Sequence, residues 1–81
     1  MMLKCEVRHG GQWVASTIED ALGTLSGHDM RCTECHGQVR AHKAYNNGVA
    51  AHFEHYNAHA GCSQISSTFS GVHSPHPNAL K

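Results

Sequence analysis

Apolar and polar residues alternate from Leu3 to Arg8, with Leu3, Cys5 and Val7 on one side and Lys4, Glu6 and Arg8 on the other. That two-residue period marks a half-buried strand. His9-Gly10-Gly11 supplies a turn signal, and Gln12-Trp13-Val14-Ala15 returns as the second strand of a hairpin. The period then lengthens. Ile18, Ala21, Leu22 and Leu25 fall at i, i+3, i+4 and i+7 and form one apolar helix face. Ser16 and Glu19 have the spacing of a capping box ahead of it, and Gly27 stands where a helix end favours glycine. Gly23 weakens the interior of this helix.

Asp29-Met30-Arg31 predicts a short approach strand leading into Cys32-Thr33-Glu34-Cys35-His36-Gly37. Val39 to Tyr45 and Val49 to His55 are two further extended runs, and Asn46-Asn47-Gly48 between them is a strong hairpin signal. Tyr56 to Ala60 predicts a single helical turn ended by Gly61. Residues 1–63 thus read as one domain. Residues 64–81 are serine-rich, carry Gly71, Pro75 and Pro77, and have no regular period. They are expected to form an extended or partly disordered C-terminal tail.

A chain of 81 residues buries a modest core on folding and needs disulfides, a metal or a partner chain to make up the deficit. Four cysteines and nine histidines, against 6% aromatic residues, point to the metal. Six basic residues balance six acidic ones, which argues against a generic electrostatic grip on nucleic acid or an anionic membrane. Near-zero net charge gives little colloidal repulsion and is compatible with a homodimer. No apolar run approaches the ~20 residues that cross a bilayer. The start of the chain, with Lys4, Glu6 and Arg8, lacks the apolar core of a signal peptide. The expected location is the cytoplasm, where Cys-x-x-Cys signifies metal or redox chemistry. A thioredoxin-like pair would open a helix, and Gly37 followed by a β-prone run opposes that.

Cys32 and Cys35 have the spacing of a zinc knuckle, with Gly37 placed where a positive-φ residue helps the chain leave it. The remaining ligands must come from His52, His55, His59 and Cys62. In a strand, residues 53 and 55 share one face and 52 and 54 the other. Phe53 is the natural core residue, so His55 points inward with it and His52 points outward beside Glu54. His59 lies one helical turn beyond His55, so a His55/His59 pair with Cys62 left over is the competing geometry. A thiolate binds zinc strongly, which favours Cys32, Cys35, His55 and Cys62 with His59 as substitute. His9, His28, His73 and His76 read as solvated, and His36 as a residue that could hydrogen-bond a thiolate. Cys5 reads as a small buried hydrophobe and Trp13 as core.

Gly11 to Ala15 (Gly-x-Trp-Val-Ala), Arg31 to Gly37 (Arg-Cys-x2-Cys-x-Gly), His52 to His55 (His-Phe-x-His) and Cys62 resemble the N-terminal zinc domain of competence protein CoiA-like proteins. The resemblance runs from about residue 3 to residue 63. It implies Cys32, Cys35, His55 and Cys62 as ligands of one structural zinc ion. CoiA-like proteins carry a nuclease-like domain after this module, and the resemblance does not extend to it.

The expected fold is a small zinc-stabilised α+β domain, zinc-finger-like, with β-hairpins and one short amphipathic helix. The expected function is that of a non-catalytic interaction module contacting a protein or nucleic acid, associated with DNA processing. Arg31, Arg40, His42 and Lys43, near Tyr45, would be its basic cluster, diluted by Glu34 and Glu54. The alternative is a small metal-dependent nuclease of the HNH kind, for which His52 to His59 supplies histidines, Glu54 and Asn57. Such an enzyme needs an open metal position, and a closed Cys3His site has none.

Overall fold

The computed structural model describes residues 2–44 and 48–81. The N-terminal alternation forms β1 (Lys4–His9), whose Cys5 and Val7 are fully buried. It pairs antiparallel with β2 (Gln12–Thr17), Val7 opposite Val14. Gly10 and Gly11 make the turn with φ of 60° and 80°, the left-handed pair that a two-residue hairpin loop requires. Leu3 leaves the expected face. The strand begins after it, it is exposed, and Met2 is buried instead, its carbonyl accepting from the Phe53 amide at 2.8 Å.

Helix α1 (Ile18–Leu22) is capped by Thr17, not Ser16. The hairpin ladder extends to Lys4 opposite Thr17, which holds Ser16 in the strand opposite Cys5 and leaves Thr17 Oγ1 to accept from the Asp20 amide at 3.2 Å. The helix also stops early, at Gly23 rather than Gly27. Gly23 closes the last turn with its amide on the Asp20 carbonyl, as a poor helix former at that point will. Leu22 and Leu25 still pack on the core, Leu25 from the turn that follows.

Strand β3 (Met30–Arg31) pairs with the other edge of β1, giving the order β2-β1-β3. A second sheet consists of β4 (Val39–His42) and β5 (His52–His55), antiparallel, with Val39 opposite His55 and His42 opposite His52. The two sheets touch through Arg31–Gln38 and Met2–Phe53 bridges. Tyr45, Asn46 and Asn47, and with them most of the expected tight turn, lie outside the described residues.

Two expectations downstream give way to a different arrangement. Residues 56 and 57 form bends, 58 and 59 are irregular and Ala60 enters a turn with Gly61, so no helical segment forms over 56–60. The Tyr56 amide extends the ladder to the Gln38 carbonyl, and the Asn57 carbonyl accepts from the His76 ring at 2.9 Å, so neither begins a helical turn. Residues 64–81 have no helix or strand, yet they close back over the knuckle. The amides of Ser74, His76 and Leu80 donate to the carbonyls of Gly61, Cys35 and His36 at 2.8–3.0 Å.

The result is a small α+β domain with a thin body of 36 × 33 × 15 Å. Among the described residues its buried core is Met2, Cys5, Val7, Ile18, Ala21, Met30, Cys32, Cys35, Val39, Phe53 and Cys62. Three of these are cysteines that the sequence offers as metal ligands, so those candidate sulfurs lie within the hydrophobic core. Trp13 is not core as expected. It is half-buried, with the guanidinium carbons of Arg8 and Arg31 at 4.7 and 4.3 Å from its ring centroid.

Candidate metal centre

The four residues favoured by the sequence reach the centre from three pieces of backbone. Cys32 and Cys35 lie in the turn between β3 and β4, His55 ends β5, and Cys62 lies in the loop beyond. Their ligand atoms all lie within 4.8 Å of one another, and this is the cluster of its kind among the described residues. The alternation argument puts His55 inward, and it is inward: its Nε2 lies 3.4 Å from Cys35 Sγ and 3.7 Å from Cys62 Sγ. Cys32 Sγ and Cys62 Sγ are 3.7 Å apart, far too long for a disulfide.

Those spacings can be compared with what an ion demands. Tetrahedral zinc, with Zn–S about 2.3 Å and Zn–N about 2.0–2.1 Å, separates two sulfurs by about 3.8 Å and a sulfur from a nitrogen by about 3.5 Å. The observed 3.7, 3.4 and 3.7 Å match those edges to about 0.2 Å. The cluster can therefore hold a metal ion, and zinc fits it.

The knuckle backbone prepares the sulfurs. The Glu34 amide donates to Cys32 Sγ and the Gly37 amide to Cys35 Sγ, each at 3.4 Å. The Cys32 amide donates to the Gly37 carbonyl and the His36 amide to the Cys32 carbonyl, which closes the loop. The residue that turns out of the knuckle with positive φ is His36, at 62°, rather than Gly37. Gly37 is needed for space: a Cβ there would stand 2.5 Å from Cδ2 of His76. His36 makes no thiolate contact and instead lies 3.9 Å from Glu6.

Electrostatics in the cluster call for a cation. Burial pushes the Cys35 and Cys62 thiols up. Burial acts upward on Cys32 as well, but hydrogen bonds from the His55 ring and the Cys35 and Glu34 amides outweigh it and bring the thiol down to about 7. One sulfur ionises readily and its neighbours then resist, because adjacent buried thiolates repel. A divalent ion held by these residues would supply positive charge and let all three ionise. Cys5, fully buried beside them, is pushed up to about 12 by burial and by the nearby Cys32 charge, which suits its expected role as a small hydrophobe.

The other candidates lie elsewhere. His52 points outward, with Nε2 3.1 Å from Glu54 Oε1. His59 sits outside the cluster with its ring 4.7 Å from that of His76, its Nδ1 accepting from the Gly61 amide and its Nε2 without a partner. His76, expected to be solvated, is buried: its Nδ1 accepts from the Asn78 amide at 2.9 Å, so its Nε2–H donates to Asn57. Glu34 emerges as a support that spacing could not reveal. Its carboxylate accepts from the Ser63 amide at 2.6 Å and the Ser63 hydroxyl at 2.5 Å, tying the knuckle to the Cys62 loop. Those two bonds hold its carboxyl below the usual range. The expected basic cluster is largely engaged, with Lys43 exposed and in no ion pair among the described residues. Arg31 is paired with Glu6 at 2.7 Å, and Arg40 and His42 both approach Glu54, at 4.0 and 3.0 Å.

A protein-family profile matches residues 1–81. An uncharacterized protein of Azorhizobium caulinodans is 54% identical to this chain over 79 residues, covering 95% of this chain and 94% of that protein. No solved structure matches. Among the described residues, no helix is long and apolar enough to cross a membrane. At that identity, over nearly the full length of both, the chain belongs to one family with the Azorhizobium caulinodans protein.

Proposed function

We propose that the protein is a small non-catalytic zinc module, in which one structural zinc bound by Cys32, Cys35, His55 and Cys62 fixes a surface for a partner molecule. The observation that carries this reading is the tetrahedral spacing of three sulfurs and one imidazole nitrogen inside the core. Three thiolates and an imidazole fill the four positions of zinc and leave none for a substrate water, the arrangement of structural sites. Two of its ligands lie in the knuckle, one ends β5 and one lies in the loop beyond. The ion therefore joins the second sheet to the loop that follows it and acts as a folding device.

A DNA-processing context rests on the resemblance to CoiA-like zinc domains. The charge distribution lends it little help, because Arg31 and Arg40 are engaged with carboxylates. A protein partner is therefore the better-supported choice over nucleic acid. The HNH nuclease alternative lacks its helix: residues 63–68 form turns.

Two measurements test the reading. Treatment with a chelator should collapse the amide proton dispersion of the NMR spectrum, and Zn2+ but not Mg2+ should restore it. Full dispersion in chelator would overturn the structural role. The zinc-loaded protein should leave supercoiled plasmid intact, and nicking that disappears in His55→Ala or His52→Ala would overturn the non-catalytic reading.

A further inference from the structure

Strand β1 is central in its sheet, and the way it spends its amides fixes which way β2 faces. The Arg8 amide donates to the Asp29 carbonyl at 2.9 Å, on the β3 side. On its other side Arg8 stands opposite Trp13, and that pair therefore exchanges no backbone hydrogen bonds. Bonded and unbonded pairs alternate along an antiparallel ladder, so Trp13, Ala15 and Thr17 turn their amides and carbonyls away from β1. Among the described residues, what meets these groups is the Ser16 hydroxyl, which donates to the Thr17 carbonyl at 2.9 Å. Ala15 and Thr17 are exposed.

The other strand edges are covered or guarded. The Phe53 amide of β5 donates to the Met2 carbonyl at 2.8 Å, and β3 is bridged to β4 through Arg31 and Gln38. Beyond that bridge β4 carries Arg40, a charge of the kind that keeps edges from pairing. Strand β2 has no such guard. Its Gln-Trp-Val-Ala-Ser-Thr contains no charge and no proline, and its six pairs with β1 run without a bulge. An edge of that kind is a template for another strand.

We propose that the β2 edge pairs antiparallel with β2 of a second copy of this chain, about a two-fold axis at Ala15, to form a homodimer. The two three-stranded sheets then join into one, β3-β1-β2 continued by β2-β1-β3 of the second copy. In this register the edge is complementary to itself, as a two-fold contact requires. Ala15 exchanges both bonds with its counterpart, while Trp13 and Thr17 of each copy bond Thr17 and Trp13 of the other. Every outward group is used, because the Thr17 carbonyl keeps a second lone pair. Charge favours a second copy as the occupant. Arg8 and His9 stand at the turn end of the hairpin, and exposed Glu19 and Asp20 at the α1 end, where Lys4 offsets one carboxylate. Antiparallel pairing sets the arginine end of each copy beside the acidic end of the other. Zero net charge on the chain adds little repulsion. The edge holds no metal ligand, so the inference stands apart from the zinc reading.

The test is analytical ultracentrifugation of the full chain over a range of concentrations, with amide hydrogen exchange followed by NMR. A dimer is expected, in which the Trp13, Ala15 and Thr17 amides are protected and from which they become free to exchange on dilution. Ala15→Pro removes the outward amide from both copies without touching a bond to β1, and should weaken dimerisation by about tenfold or more. Ala15→Lys sets two like charges directly opposite each other and should weaken it by about fivefold. Mixing Ala15→Lys with Ala15→Glu should restore pairing as a heterodimer, which also shows that both variants fold. A monomer at the concentrations NMR requires would overturn the proposal and leave the edge for a strand of another protein. So would a dimer indifferent to the Pro and Lys substitutions, or a Lys/Glu mixture no more associated than either variant alone.

Discussion

Replacing Cys62 by serine removes one sulfur from a buried cluster in which Cys32 Sγ and His55 Nε2 each stand 3.7 Å from it. Structural zinc in small domains contributes about 10–16 kcal/mol of apparent binding free energy at neutral pH, or about 2.5–4 kcal/mol for each of four ligands. A domain of this length has a net stability of only about 4–12 kcal/mol. Losing one ligand should then lower Tm by about 10–32 °C, taking about 4–8 °C for each kcal/mol. His59→Ala is the matched control. It gives up a ring contact with His76 and one hydrogen bond from the Gly61 amide, worth about 1 kcal/mol, but it also removes an unpartnered buried nitrogen. Its Tm should fall by less than about 8 °C. Thermal unfolding followed by circular dichroism, in excess Zn2+ and reductant, compares the two directly. If His59→Ala falls as far as Cys62→Ser, or if Cys62→Ser melts with the parent, the ligand assignment is wrong.

Other consequences are equally concrete. Gly37→Ala drives a methyl group to within 2.5 Å of the His76 ring and should cost about 1–3 kcal/mol, largely recovered in a Gly37→Ala/His76→Ala double variant if that collision is the cause. An undiminished penalty in the double variant would place the effect elsewhere in the knuckle. Thr17→Ala should cost about 1 kcal/mol through loss of the helix cap, measured by urea denaturation, and Thr17→Ser should restore most of it. Trp13 lies against Arg31, the neighbour of Cys32, so chelation should change its fluorescence emission and added Zn2+ should reverse the change. Unchanged emission in a chelator that removes the metal would mean that this wall of the knuckle keeps its shape without the ion.

The candidate cluster was legible because a ligand spacing and a strand period met on it. The two-residue gap of Cys32 and Cys35 defined a knuckle, and strand alternation around Phe53 selected His55 over His52. The helix cap was ambiguous for a physical reason. Ser16-x-x-Glu19 and Thr17-x-x-Asp20 both satisfy local capping chemistry, and the choice is made by hairpin register, which pairs Ser16 with Cys5. The role of Gly37 was hidden because it is set by His76, a residue that local sequence marks only as polar. The C-terminal segment lacks a hydrophobic period and is ordered by backbone hydrogen bonds to knuckle carbonyls, which leave no mark in sequence. Trp13 took a position between two guanidiniums because β2 places its side chain beside Arg8 and Arg31, and composition alone could only suggest burial.

The central claim is that one tightly held metal ion completes the core. Its most direct test is the metal content of the protein purified under reducing conditions and dialysed exhaustively, measured together with thiol reactivity. One zinc per chain is predicted, with Cys32, Cys35 and Cys62 protected from a thiol reagent until a chelator is added. A folded protein that carries no metal and whose three thiols react without chelator would contradict it.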